Sequence, residues 1–232
     1  MSVLGGLNGV LSIMVNNEFD DHWKAIIDSG ASQMGVILDS PQLDAMAFHA
    51  AELIAWNKKF NITAITDPVE MAVKHFVDSI ALVPWVPENA TVVDLGSGGG
   101  FPGIPLKICR PDVHVIMVDA SRKKVSFLNH VVRMKDLSHA IAVHSRVEDL
   151  GRDEKFAGHF DMVVSRAFTA LGKFVDLAVP FLVDQGKIIA MKGNLSREEA
   201  GEVDLNRFDV NVRRYCLPNG DPRALVDVTH AC

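Results

Sequence analysis

The stretch VVDLGSGGGFPGIPL, Val92–Leu106, decides the fold. Two β-branched residues lead into one acid, and five glycines then fall within the eight positions Gly96–Gly103. Apolar β-branched residues suit a buried strand. Glycine is needed where a turn demands positive φ or where something lies against bare backbone. Pro102 suits the opening of a helix. Strand, glycine turn and helix in succession read as the start of a βαβ unit, and open parallel sheets bind ligands beyond the carboxyl ends of their strands.

Downstream of this stretch the same alternation continues. Thr91–Leu95, Val113–Asp119, Ala140–His144, Phe160–Ser165 and Lys187–Met191 read as buried strands. Between them, Ser121–Lys135 carries Val125, Leu128, Val131 and Val132 on one helical face, and Gly172–Leu182 forms a second helix shortened by Pro180. Arg207–Leu217 and Ala224–Val228 suggest a terminal pair of strands. The expected fold is α/β, a doubly wound and mostly parallel sheet. Upstream the pattern is helical. Phe19–Ile27 is a short helix, Ser40-Pro41 caps a helix running to about Lys59, and Asp67-Pro68-Val69-Glu70 caps another that runs towards Pro84. This divides the chain into a flexible tail (1–16), a helical extension packed on the core (17–89) and the sheet domain (90–232).

Composition excludes several classes of function. The 232 residues include three cysteines, far apart and without a Cys-x-x-Cys pair, and nine scattered histidines without His-Glu-x-x-His, so no metal site is expected. The apolar start MSVLGGLNGVLSIMV is too short to span a bilayer and lacks a basic leader. It reads as a loosely docked tail or an over-long start ahead of Met14. A cytoplasmic protein with no membrane partner is expected, and nothing in the sequence asks for an obligate subunit, so a monomer. The net charge of −6 argues against a general nucleic-acid coat, although Lys58-Lys59, Lys74-His75 and Arg122-Lys123-Lys124 form local basic clusters.

Three ligands compete for the glycine turn. A Walker phosphate loop is excluded because no Gly-Lys-Ser/Thr follows. A dinucleotide is formally allowed by Gly98–Gly103, but Phe and Pro fill the positions where the backbone would turn under a pyrophosphate. S-adenosylmethionine has no phosphate. It needs a loose glycine turn around its amino-acid portion and an acid near its ammonium, and Asp94-Leu95-Gly96-Ser97-Gly98 offers both. Asp119, closing the next strand, could take both ribose hydroxyls, and Arg146-Val147-Glu148-Asp149 lies where adenine contacts would fall.

Larger motifs surround these positions. They are WNKKFNIT at Trp56–Thr63, DPxE at Asp67–Glu70, KHFxDS at Lys74–Ser79, DLGSGGGFPGIPL at Asp94–Leu106 and RKKVxFL at Arg122–Leu128. SRVE at Ser145–Glu148, SRAF at Ser165–Phe168 and Lys192-Gly193 complete the set. From about Leu43 to Val228 the chain resembles the glucose-inhibited division protein B family, the ribosomal RNA small subunit methyltransferases G. The resemblance implies a class I, Rossmann-like methyltransferase fold with an N-terminal helical extension. It also implies methyl transfer from S-adenosylmethionine, leaving S-adenosylhomocysteine, to nitrogen 7 of one guanine in 16S ribosomal RNA. The partner is then that RNA or the small ribosomal subunit. Carried over by position, cofactor contacts fall on Gly96, Phe101, Val147, Glu148 and Arg166; Asp94, Gly98 and Asp119 join them from the general methyltransferase pattern. The chain departs from the family in a longer amino-terminal stretch and in its ending, Val228-Thr229-His230-Ala231-Cys232.

Guanine N7 has a lone pair and no proton, so no general base is expected. Arg166 is expected at the cofactor edge or in an ion pair with Glu148 or Asp94, and Lys192 on an RNA phosphate; both are positioning candidates. Lys58, Lys59, Arg122, Lys123 and Lys124 are further RNA-binding candidates. His75 and Asp78, three apart on one helical face, suggest a mutual hydrogen bond or a packing role. Phe101 and Phe168 could stack on a base, although core packing is the commoner fate of such residues. The NKKFNIT connector, with Asn57 and Asn61, is expected to close over the site. Other readings predict different behaviour: a small-molecule or protein methyltransferase, independence from RNA; an oxidoreductase, NADH binding; a ribosome-assembly module, RNA binding without turnover.

Overall fold

A computed structural model describes residues 18–166, 169–193 and 195–231. The tail proposed for residues 1–16 lies outside the described residues, as does Phe168. Seven strands form one sheet in the order β3-β2-β1-β4-β5-β7-β6. They are β1 (Thr91–Leu95), β2 (His114–Asp119), β3 (Ala140–His144), β4 (Phe160–Arg166), β5 (Leu182–Lys192), β6 (Phe208–Cys216) and β7 (Pro222–His230). The first five run parallel, while β7 pairs antiparallel with both β5 and β6.

Strand alternation explains why the sheet is covered on both sides. Val92 of β1 joins Val115, Met117, Val164 and Ile189 on one face. Val93 and Leu95 join Val118, Val163, Ile188 and Val226 on the other. The first face packs against α1 (Asp21–Gln33), α2 (Ser40–Phe60), α3 (68–80), α4 (Gly103–Cys109) and α5 (Arg122–Met134). Helix α3 starts at Pro68–Met71, continues as a π-helical stretch (Ala72–Val77) and ends in an α turn (Asp78–Ile80). The second face carries α6 (Val147–Leu150) and α7 (Leu171–Ala178). A short helix α8 (Arg197–Ala200) precedes β6. The helical extension contributes Trp23, Ile27, Met46, Leu53 and Phe76 to the same core as the central strands.

Several element ends differ from the sequence expectation. Helix α1 runs past Ile27 on to Gln33. Within it Gly30 marks close helix packing, since a Cβ there would come within 2.5 Å of Val77 Cγ2. The cap of α2 is Asp39, one residue before Ser40, and it forms a reciprocal capping box with Gln42. Asp67 caps α3 as expected, accepting from Glu70 N at 2.8 Å. Helix α7 ends at Ala178, and Pro180 falls in a 3-10 turn. Strand β5 begins at Leu182, five residues before Lys187, across an irregularity in its pairing with β4. Helix α4 starts at Gly103 with Pro102 as its cap residue.

Candidate active site

At the end of β1 the chain turns through Gly96 (φ 76°), Gly98 (φ 56°) and Gly100 (φ 92°). The loop is held almost entirely by its own amides. Gly96 and Ser97 donate to Val118 O on β2, at 2.8 and 3.0 Å. Gly98 N donates to Asp119 Oδ2 at 3.0 Å, and Ser121 N to Asp119 Oδ1 at 2.8 Å. Gly100 and Phe101 donate to Ser97 O, Ile104 to Gly100 O, and Gly103 to Asp94 Oδ2. The first amides of the following helix, Gly103 and Ile104, are therefore already used. Asp94 is fully buried, its Oδ1 has no partner among the described residues, and burial pushes its carboxyl up to about 7. It supports the loop from beneath.

From outside the sheet, His49 of α2 reaches the loop. Its Nε2 lies 2.7 Å from Gly99 O and must carry the proton there, because a carbonyl can only accept. The ring is fully buried, and burial lowers its pKa to about 4. It stacks on Phe101 at 4.9 Å and 27°, while His75 stacks on the same ring at 4.4 Å and 23°. The Arg166 guanidinium lies 5.0 Å from the ring centroid. Phe101 is only 3% exposed, so its ring is engaged by these neighbours rather than open to stack on a base.

A cavity of about 460 Å³ opens beside the loop, walled by Gly96–Gly99, the connector Ile62–Ile65, and the ends of β4 and β5. Arg166, at the end of β4, donates to Lys74 O at 2.6 Å and to His75 Nδ1 at 2.9 Å. Its carboxylate partner is Asp78, at 3.7 Å, and not Glu148 or Asp94 as expected. Asp78 also accepts from Tyr215 OH at 2.8 Å and sits 3.4 Å from Arg223 Nε. His75 and Asp78 thus do not bond to each other. The π-helical stretch turns them onto a shared partner, Arg166. Burial, reinforced by the nearby Arg166 charge, lowers the His75 pKa to about 3.

The other predicted residues divide into three groups. Lys192 borders the cavity, but its Nζ is engaged by Glu199 at 2.7 Å and Thr169 O at 2.5 Å. Val147 and Glu148 open α6 after β3, Val147 buried and Glu148 exposed, and neither walls this cavity. Lys58, Lys59, Arg122 and Lys123 are exposed, with Lys123 over the Phe60 ring at 5.4 Å, and Lys124 lies 3.9 Å from Asp119 Oδ2. Asn57 accepts from Thr63 N at 2.9 Å, and Asn61 ends α2 with φ 48°. They shape the connector, while Ile62–Ile65 form its cavity wall. The sequence reading missed His49, Thr63, Tyr215 and Arg223. His49 had a signal, since it lies three after Met46 and four before Leu53 on the buried stripe of α2. Tyr215 and Arg223 are cross-strand partners in the β6–β7 hairpin, a pairing that only the register reveals.

The fit to a ligand can be tested on this geometry. A pyrophosphate seeks several free backbone N–H groups, and here Gly99 N alone among the loop amides has no partner among the described residues. Gly98, by contrast, has only Gly96 O near its would-be Cβ, at 3.9 Å, so the loop leaves open space over bare backbone. Asp119 uses one bond on each oxygen and keeps acceptor capacity for hydroxyls. The residues fit S-adenosylmethionine better than a dinucleotide.

The strand order, the glycine loop after β1 and the acid closing β2 define a methyltransferase of the Rossmann-like, S-adenosylmethionine-dependent class. Solved structures agree on the fold. A SAM-dependent methyltransferase from Aquifex aeolicus superposes with a TM-score of 0.56 over 74% of this chain and 97% of its own, at 16% identity. A precorrin-6y C5,15-methyltransferase from Geobacter metallireducens gives 0.52 over 67% and 88%, at 11% identity. The family model for rRNA small subunit methyltransferase G matches residues 42–216. A ribosomal RNA small subunit methyltransferase G from Geobacter metallireducens is 45% identical over 89% of this chain and 96% of its own length. A protein of the same name from Geobacter sp. strain M21 is 44% identical over 88% and 95%. The chain belongs to the rRNA small subunit methyltransferase G family.

Proposed function

We propose that the protein transfers a methyl group from S-adenosylmethionine to N7 of one guanine in 16S ribosomal RNA, as a monomer in the cytoplasm. The observation that carries the cofactor part is the glycine loop, whose amides apart from Gly99 N are spent internally while its face at Gly98 stands open. The RNA part rests on the named relatives. Among the described residues no helix is long and apolar enough to cross a membrane.

S-adenosylmethionine, when bound, supplies a methyl group activated by its sulfonium, and S-adenosylhomocysteine leaves. The chain's own part is to hold and align. Asp94, Gly96, Gly98, Phe101, Asp119, Val147, Glu148 and Arg166 are assigned to the cofactor: Asp94 and Phe101 by shaping the loop, Asp119 by accepting ribose hydroxyls, Val147 and Glu148 at the adenine end. Guanine N7 carries no proton, so the site needs no base. His75 is unsuited to be one, with Nδ1 accepting from Arg166 and Nε2 bonded to Thr63. Alignment of nitrogen, methyl and sulfur can supply up to roughly 7–11 kcal/mol. The purine gains positive charge as it is methylated. A neutral His75 and an Arg166 paired with Asp78 keep cationic excess away from it. Lys192, released from Glu199, the exposed Lys58, Lys59, Arg122 and Lys123, and the half-buried Lys124 are assigned to phosphates.

The test is methyl transfer from labelled S-adenosylmethionine to small subunits from cells lacking the gene, with 7-methylguanosine mapped by chemical cleavage. One modified guanine is expected. No transfer to subunits or naked RNA, with cofactor still bound, would overturn the RNA assignment.

A further inference from the structure

The Thr63 hydroxyl sits on the cavity wall in a hydrogen-bonded chain whose proton positions follow from chemistry alone. Arginine has no acceptor, so Arg166 must donate to His75 Nδ1, 2.9 Å away. A neutral imidazole with Nδ1 accepting carries its proton on Nε2. That N–H therefore donates to Thr63 Oγ1 at 2.9 Å. Ile65 N also donates to Thr63 Oγ1, at 3.1 Å. The hydroxyl thus receives two hydrogen bonds, which take up its two lone pairs and leave its own O–H as a donor. Around it the wall is apolar on the connector side, with Ile62, Ala64 and Ile65, and Met191 stands at the end of β5.

Resting on the methyltransferase reading above, we infer that Thr63 Oγ–H donates to O6 of the target guanine, with His75 and Arg166 as positioning residues that fix its direction. The Hoogsteen edge of guanine presents two adjacent acceptors, N7 and O6. N7 must stay unbonded to attack the methyl group. O6 is the acceptor left to recognise, and adenine offers an amino donor in the same place. A neutral O–H suits this task better than an ammonium, because the ring becomes cationic during transfer. The His75–Thr63 link stays neutral at working pH because His75 does not protonate there. A cofactor carboxylate is the rival acceptor, and the affinity for S-adenosylhomocysteine separates the two.

The test crosses two substitutions. Small subunits are prepared with either guanine or 2-aminopurine at the methylated position. The analogue keeps N7 and the 2-amino group and lacks O6. Wild type, Thr63→Val and Thr63→Ser are assayed on both, with melting temperatures and S-adenosylhomocysteine affinities measured alongside. Thr63→Val should lower kcat/KM on guanine by roughly tenfold, the scale of one neutral hydrogen bond, and change the 2-aminopurine reaction less than about twofold. Thr63→Ser should keep the wild-type preference. That preference should stay flat from pH 6 to 8, since a relay through an ordinary histidine would titrate there. An equal drop on both substrates would show a merely structural role and overturn the inference. A loss carried by weaker S-adenosylhomocysteine binding would move the contact to the cofactor carboxylate. A preference that titrates near pH 6.5 would show that His75 takes up a proton there, and would overturn the Nδ1-accepting arrangement that directs the hydroxyl. Wild type failing to methylate guanine-containing subunits at N7 would instead overturn the function on which the inference rests.

Discussion

Replacing His49 by glutamine tests whether a buried neutral imidazole holds the glycine loop. In the folded protein the ring is fully buried, donates to Gly99 O at 2.7 Å and has no partner for Nδ1 among the described residues. Its pKa falls from 6.5 to about 4, chiefly through burial. The folded value is depressed, so the stability it contributes is present above pH 6.5 and is lost as pH falls through about 4. Linkage with these two values gives a loss of about 2 kcal/mol between pH 7 and pH 5 from this one ring. Glutamine keeps an N–H for Gly99 O and removes the titrating site. Urea denaturation of both proteins at pH 7 and pH 5 is the assay. Wild type should lose about 2 kcal/mol more than His49→Gln over that interval. Parallel losses would refute the reasoning, because the ring would then take up its proton without cost and could not be locked against the loop. His75 titrates in both proteins and drops out of the difference.

Other substitutions probe the loop and the basic surface. Asp94 has a raised carboxyl, near 7, so its contribution is fully present below about pH 4 and is lost as pH rises through 7. The stability of Asp94→Asn relative to wild type should therefore improve by up to about 4 kcal/mol from pH 4 to pH 8, read from melting curves; a pH-independent difference would contradict the assignment. Gly103→Ala places a Cβ 2.8 Å from Met117 Cγ and 2.9 Å from Asp94 Oδ2, an overpacking that should cost about 1–3 kcal/mol. Gly98→Ala meets open space and should cost only about 1–2 kcal/mol for its positive φ, yet calorimetry should show a larger loss of S-adenosylmethionine affinity than of stability. Lys58→Glu and Lys59→Glu should each lower the salt slope of subunit binding by about 0.7–0.9 if they meet phosphates, and unchanged slopes would remove them from the interface.

The fold was legible because its decisive signals are local. The β-branched run before Gly96, the acid ending β2 at Asp119 and the cap at Asp67 each depend on a few neighbouring residues. Element ends were less legible wherever a distant contact set them. Helix α1 runs past Ile27 to Gln33, with Gly30 packed against Val77. Leu182–Gly186 does not read as strand until its pairing with β4 is known. The site divides in the same way. Residues at strand ends fall where the alternation puts them, but their partners do not. Arg166 meets Asp78 because a π-helical stretch rotates α3, and a helical spacing of 3.6 would have paired Asp78 with His75 instead. Tyr215 and Arg223 enter through the register of a hairpin that joins the sheet after β5.

These long-range contacts give the helical extension a part in building the cavity. The sheet supports the glycine loop from below through Asp94, Asp119 and Val118 O, as the glycine pattern leads one to expect. The extension holds it from above through His49, and it lays His75 on Phe101. The connector between α2 and α3 then sets Thr63 against His75. Two of the three are histidines whose burial keeps them neutral at physiological pH. That neutrality suits a reaction with no proton to remove and a cation to form: the rings can position the loop and the base without adding charge beside either. Charged histidines in the same places would repel Arg166 and disfavour the methylated purine. The apolar environment that α1, α2 and α3 create is therefore as much a part of the site as the glycines.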